Sequence, residues 1–233
     1  MSSSPSPAPD VTTIRPPLVS RAVGGFGWSI GGGAALGAAA WLSDELGYPL
    51  GLLLPANAIG VWLGVAFALG GSARTIPTGA LRGLIGLLSA VAAYYLLFAT
   101  LGEGFRVIAA PHAATIWGVV AFAAGPVMGG AGAVWRYGNG WPRAIGVALL
   151  AAALLAEAVV FGGPRLARVD QLATDPGALL YLAEFVIALV LPFALLHRGE
   201  RLRGYLATAA LGAVGAIAIG PVLTAIRAVA DRF

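Results

Sequence analysis

The sequence contains no cysteine and no lysine, and charged residues of either sign are scarce. The absence of cysteine excludes disulfides, thiolate metal sites and cysteine nucleophiles. Charged residues make up 10% of the 233 positions and hydrophobic residues 59%, whereas ordinary soluble domains carry about 25% charged residues. One soluble core could not bury so much apolar surface. We therefore expect lipid to be the solvent for most of the chain.

Motifs for catalysis and phosphate binding are also missing. The chain has no GxxxxGK[ST] loop and no HExxH pair, which are common sequence signatures of such sites. Its two histidines, His112 and His197, are expected on opposite sides of the membrane, so a shared histidine metal site would lack ligands. We accordingly expect no enzymatic activity, no cofactor and no metal. The arginines are spread over the loops and form no patch, so nucleic acid is not an expected partner.

Long apolar runs dominate what is present. About 20 apolar residues suffice to cross a hydrocarbon core of about 30 Å as a helix. The sequence therefore predicts an all-α, polytopic bundle of about seven transmembrane helices within a domain of residues 21–233. The predicted spans are 22–42, 52–71, 81–101, 113–135, 142–162, 177–196 and 204–225. In the second span, Pro55 is expected in the first turn of a helix that begins near Leu53.

The two ends of the domain differ in charge and composition. Residues 1–20 are rich in Ser and Pro, a composition that cannot pack a core, and we predict a disordered cytoplasmic tail there. If the N-terminus is cytoplasmic, nine of the fourteen arginines fall in inside segments and five outside. Because cytoplasmic loops carry the excess of basic residues, the sequence favours a cytoplasmic N-terminus.

Two carboxylates, Glu157 and Glu184, fall within the predicted fifth and sixth spans, while the other acidic residues fall in the tail or loops. A charge at membrane depth costs several kcal/mol and by default suggests a functional site. Counting about 1.5 Å per residue from the helix ends places both carboxylates about 8–10 Å from the outer surface. Asn57, Tyr94 and Tyr95 fall in the same layer. These five residues are the predicted binding site for a small solute or cation.

Each of these residues also has a structural interpretation. A carboxyl group can reach the interface or be held protonated against a neighbouring helix. Tyr94 and Tyr95 could form part of an aromatic belt, and Asn57 could make a hydrogen bond between helices. Depth alone does not decide, because the same depth is compatible with any direction around the helix axis.

The sequence thus leaves two functions open. The first is a small permease, or the membrane subunit of a transporter, that binds its solute in the outer third of the bilayer. The second is a non-catalytic scaffold or accessory protein that forms homo- or hetero-oligomers. Small residues spaced by four would carry the second function, since they allow close helix approach. They occur in the first span at Gly27, Gly31, Gly33 and Gly37, and in the fourth at Gly125 and Gly129.

Three stretches resemble a known family. They are Ala66–Arg74 (AFALGGSAR), the pair Tyr94-Tyr95, and the helix that contains Trp117, Gly125-Pro126 and Gly129. Across roughly residues 50–200 the chain resembles an uncharacterised family of actinobacterial multi-pass membrane proteins, described only as a domain of unknown function. The resemblance implies a protein of the bacterial inner (plasma) membrane. It supplies no activity and no catalytic residues.

Overall fold

The computed structural model describes residues 18–47, 55–101, 105–167 and 175–230, and these ranges contain helices and no strand. A turn of π-helix, Ala158–Gly162, joins the α-helices Gly140–Glu157 and Gly163–Leu166 into one continuous helix. Counted in this way, the described residues form seven continuous helices. The predicted all-α fold is thereby confirmed. The α-helices are α1 (Leu18–Leu46), α2 (Ile59–Gly71), α3 (Ile76–Leu101), α4 (Phe105–Tyr137), α5 (Gly140–Glu157), α6 (Gly163–Leu166), α7 (Pro176–Leu195) and α8 (Arg201–Ala230).

Four of the described helical segments are long and apolar enough to cross a membrane: Ile76–Leu101, Pro111–Tyr137, Gly140–Arg165 and Pro176–Leu195. In the most apolar window of Gly140–Arg165, 61% of the residues are buried inside the protein, against 22% in Pro176–Leu195. The continuous helix that begins with α5 therefore lies at the centre of the bundle, whereas most apolar side chains of α7 lie on the outside. Such an exposed apolar surface suits a bilayer.

Two boundaries near the N-terminus differ from the predictions. Residues 1–17 of the predicted tail lie outside the described residues, and the last residues of that tail already belong to α1, which begins at Leu18. At its other end α1 extends to Leu46. Asp44 and Glu45, expected in a loop, therefore lie in the last turn of this helix.

Among the described residues, the second predicted span (52–71) is wrong over residues 55–58, which do not belong to the α-helix. Pro55–Asn57 form a separate turn of 3₁₀-helix, Ala58 is extended with φ −70° and ψ 131°, and α2 begins only at Ile59. The predicted start near Leu53 lies outside the described residues. With 13 residues, α2 is about 20 Å long, which is short of the about 30 Å of a hydrocarbon core. Its N-terminus must therefore find hydrogen-bond partners within the protein.

Glycines bring the backbones of the first four helices close together. A Cβ atom built on Gly33 or Gly37 of α1 would collide with a backbone carbonyl of α3. On α4, a Cβ on Gly125 would meet the backbone of Leu84, and one on Gly129 would collide with the Gly79 carbonyl. Much of the glycine pattern predicted as an oligomer face is therefore occupied by packing within this chain.

Candidate functional site

The Glu157 carboxylate caps the N-terminus of α2. Glu157 is the last residue of α5 and only 6% exposed. Its two oxygens accept the backbone N–H groups of Ile59, at 3.0 Å, and Gly60, at 2.7 Å. The first N–H groups of a helix have no partner within it, and a negative charge there also interacts favourably with the helix dipole. The carboxylate thus supplies from another helix the cap that α2 lacks in its own sequence.

Local backbone features allow this contact. Gly60 lets α2 approach α5 closely, because a Cβ atom built on Gly60 would collide with the Leu154 side chain of α5. The α-helical pattern of α5 ends at Glu157 and widens into the π-turn. Such π-turns inside helices occur frequently at functional sites.

The Glu184 carboxyl group approaches the same point from α7. It is 4% exposed, and neither of its oxygens has a hydrogen-bond partner among the described residues. Its Oε1 atom lies 3.3 Å from the position that a Cβ atom on Gly60 would take. The structure therefore brings the two predicted carboxyl groups together at the start of α2. One is fully engaged by backbone donors, and the other is free to bind a proton or a donor group.

No arginine among the described residues pairs with either carboxyl group. Arg165 lies nearby, but its Nε atom pairs with Asp175 at 3.9 Å, and its guanidinium lies 5.5 Å from the ring centroid of Tyr181. Among the described residues, neither carboxyl group is therefore neutralised by an arginine.

The other three predicted residues line a separate cavity of about 290 Å³. Asn57, Tyr94 and Tyr95 contribute to its wall, and Glu157 and Glu184 do not. Ile59 also lines this cavity, while its backbone N–H donates to Glu157. The first turn of α2 therefore separates the cavity from the carboxyl pair. The complete lining is Asp44, Asn57, Ile59, Trp62, Leu63, Leu87, Val91, Tyr94, Tyr95, Trp117, Val120, Ala121 and Ala124.

Asp44 is the central polar residue of the cavity, and the sequence analysis missed it. Its Oδ1 atom accepts a hydrogen bond from Asn57 Nδ2 at 2.5 Å, and its Oδ2 atom accepts one from the Tyr94 hydroxyl. The Asn57 amide also donates to the Ala40 carbonyl at 3.3 Å. The first predicted span ended at residue 42. One more helical turn would have placed Asp44 in the same layer as Tyr94.

Aromatic contacts hold the wall of the cavity in place. The Tyr94 and Tyr95 rings meet edge to face with centroids 4.8 Å apart, a preferred geometry for aromatic pairs. Tyr94 also stacks on Phe98 at 5.9 Å. The Trp62 indole N–H donates to the Ala56 carbonyl at 2.6 Å. These contacts orient the aromatic rings before any ligand binds.

A third cluster of polar side chains lies at the start of α5, at the opposite end of this helix from Glu157. Glu200 accepts the backbone N–H of Gly140 at 2.6 Å, where Gly140 has a positive φ of 58°. Arg143 lies 2.8 Å from His197 Nε2 and 3.9 Å from Glu200. Since α5 has 18 residues, this group is about 27 Å from Glu157 along the helix. It closes the loop between α7 and α8 onto the start of α5.

These features define an all-helical protein with apolar helices suited to a membrane, a capped short helix and one aromatic cavity. Residues 16–228 match the model of a family of unknown function, DUF6518, and the chain belongs to that family. No curated protein and no solved structure matches the chain. The resemblance to an uncharacterised domain is confirmed, and the match extends it to most of the chain. The family supplies no activity, so function has to be argued from the geometry.

Proposed function

We propose that the protein is a multi-pass permease, or the membrane subunit of one, that binds a small solute in the cavity between α1, α2, α3 and α4. The cavity itself is the observation that carries this proposal. Its volume of about 290 Å³ is at the lower end of the about 300–1,000 Å³ typical of ligand sites. Its wall combines apolar and aromatic side chains with a few polar groups, as ligand sites usually do. A small solute therefore fits better than a large one.

In this proposal the chain spans the plasma membrane with its N-terminus in the cytoplasm. The cavity and the carboxyl pair then lie at the outer end of the bundle. A short helix whose N-terminus lies inside a membrane protein is a feature of several transporter folds, where it forms part of the binding site. Here α2 has the corresponding shape. Glu184 would supply a group that gains and loses a proton beside this helix, which a proton-coupled carrier requires.

Flux measurements with a cavity-filling variant test the proposal. Ala124 lines the cavity and is half-buried, so Ala124→Phe should fill it and abolish uptake of small solutes into liposomes that contain the purified protein. Ala123 on the same helix is exposed and does not line the cavity. Ala123→Phe should therefore leave uptake unchanged. Uptake that survives Ala124→Phe, or its absence from the wild-type protein for a broad panel of solutes, would refute the permease.

The scaffold remains the second candidate, and one part of α1 favours it. Among the described residues, no neighbouring atom lies within 4 Å of a Cβ atom added to Gly27 or Gly31, and Trp28 between them is 79% exposed. This face could pack against a second helix. If the protein is a scaffold, Gly27→Leu should disrupt an oligomer seen by crosslinking in native membranes, and Ala124→Phe should have no effect.

A further inference from the structure

The exposed Asp44 carboxylate places a negative charge at the mouth of the cavity. Both hydrogen-bond donors to the Asp44 carboxylate are neutral, since one is the Asn57 amide and the other is the Tyr94 hydroxyl. Among the described residues, no arginine lies within ion-pair distance of Asp44. Neutral donors orient a carboxylate, but they do not cancel its charge. A negative charge beside apolar walls attracts a cation more strongly than it would in water.

The aromatic side chains of the wall favour the same kind of ligand. Tyr95, Trp62 and Trp117 line the cavity together with Asp44. The faces of aromatic rings attract cations, and several rings around one site are the usual receptor for an ammonium group. Among the described residues, no basic side chain lines the cavity. An anion would meet the Asp44 carboxylate there and no positive charge from these residues.

A bare metal ion suits this site less well than an organic cation. Hard cations such as Ca²⁺ take six to eight oxygen ligands and Mg²⁺ about six. The polar side chains of the wall are Asp44, Asn57, Tyr94, Tyr95 and two tryptophans. Tryptophan offers only a donor, so these side chains provide at most five oxygen atoms, two from Asp44 and one each from Asn57, Tyr94 and Tyr95. The rest of the wall is hydrocarbon, which would contact the substituents of an organic cation.

We infer that the cavity is a binding site for a small organic cation, with its ammonium group beside Asp44 and its alkyl part against the aromatic walls. This inference rests on the proposed function, because it names the class of solute that the permease would bind. The assigned roles are electrostatic for Asp44, orienting for Asn57 and Tyr94, and cation–π for Tyr95, Trp62 and Trp117.

Equilibrium binding to the full chain in lipid nanodiscs tests the inference. The probes are labelled choline, its uncharged isostere 3,3-dimethylbutan-1-ol as competitor, tetramethylammonium as a second cation, and acetate as an anion. Choline and tetramethylammonium should bind saturably, the isostere about ten-fold more weakly, and acetate not at all, since only the cations gain from the carboxylate and the rings. Equal binding of choline and its isostere would overturn the inference.

Matched variants locate the site. Asp44→Asn should reduce choline affinity about ten-fold or more, whereas Glu45→Gln, one residue along the same exposed turn and outside the cavity wall, should leave it unchanged. Should Asp44→Asn fail to fold, Trp117→Leu replaces it, with the exposed Trp28→Leu as its control. Trp117→Leu should weaken choline and spare the isostere. Choline binding that is insensitive to both cavity variants would overturn the site.

The two proposals fail in different ways. If neutral or anionic solutes are transported and Ala124→Phe blocks them while no cation binds, the cation inference is wrong and the permease stands. If no solute of any charge binds or moves, the permease itself is wrong, and the cation inference falls with it.

Discussion

Glu157 and Glu184 are the same side chain at similar depth, yet their surroundings differ. Glu157 accepts two backbone N–H groups, whereas neither oxygen of Glu184 accepts a hydrogen bond from the part of the chain that the structure describes. Counting residues along the helices predicts one layer for both, and in the structure both carboxyl groups approach Gly60 of α2. The sequence does not show which of the two carboxyl groups accepts hydrogen bonds, since that depends on where α2 begins.

The first prediction concerns the cap on α2. Glu157→Ala removes two charge-assisted hydrogen bonds and leaves two buried N–H groups unpaired, so it should lower the free energy of unfolding by on the order of 3 kcal/mol. Glu157→Gln keeps one acceptor and should lose about half as much. Titration with SDS from a mild detergent, followed by circular dichroism, measures both. A loss no larger than that of an exposed control, Glu45→Ala, would mean that the cap contributes little.

The second prediction concerns Glu184. Since Glu184 forms no hydrogen bond with the described residues, Glu184→Gln should change the free energy of unfolding by less than about 1 kcal/mol, because no such bond is lost. If the carboxyl group carries a proton during transport, the same variant should still bind solute but lose uptake driven by a pH gradient. Exchange and net uptake in liposomes separate these effects. A variant with full pH-driven uptake would show that Glu184 has no coupling role.

Among the helices, α2 shows that hydropathy alone does not predict the residue at which a helix begins. The apolar residues of 52–71 satisfy the length rule for a span, but the α-helix covers only Ile59–Gly71. Its start is fixed by the extended Ala58 and by the Glu157 carboxylate, which is 97 residues away from Gly60 along the chain. The long helices were predictable because bilayer thickness dictates their length. Asp44 was missed for a related reason, since the outer end of α1 extends past its most apolar stretch.

The third prediction concerns the packing of α3 on α4. A Cβ atom on Gly83 would collide with the Gly125 carbonyl, so Gly83→Ala should destabilise the bundle by about 1–3 kcal/mol, as overpacking usually does. A Cβ atom added to Gly118 on α4 would have no neighbour within 4 Å in the described part of the chain. Gly118→Ala should therefore be neutral or stabilising by up to about 1 kcal/mol, because alanine favours a helix over glycine. Equal thermal stabilities for the two variants would contradict this packing.

In the whole molecule, two carboxylate caps, one at each end, connect helices of an otherwise apolar bundle. Glu157 at one end and Glu200 at the other each cap a different helix with a carboxylate. The cavity lies beside the first of these caps, at the end where α1 and α3 finish. The side of the membrane on which this end lies decides whether the proposed solute enters from outside or from the cytoplasm.

Topology is therefore the last prediction, and the absence of cysteine makes it directly measurable. Glu45→Cys lies at the cavity end and Asn139→Cys in the loop before α5, and both positions are exposed. Because the excess of arginine marks the cytoplasmic side, a membrane-impermeant maleimide should label Glu45→Cys in intact cells and Asn139→Cys only after permeabilisation. The wild-type chain is the blank. The reverse pattern would place the cavity, Glu157 and Glu184 on the cytoplasmic side, and the permease would then take its solute from within the cell.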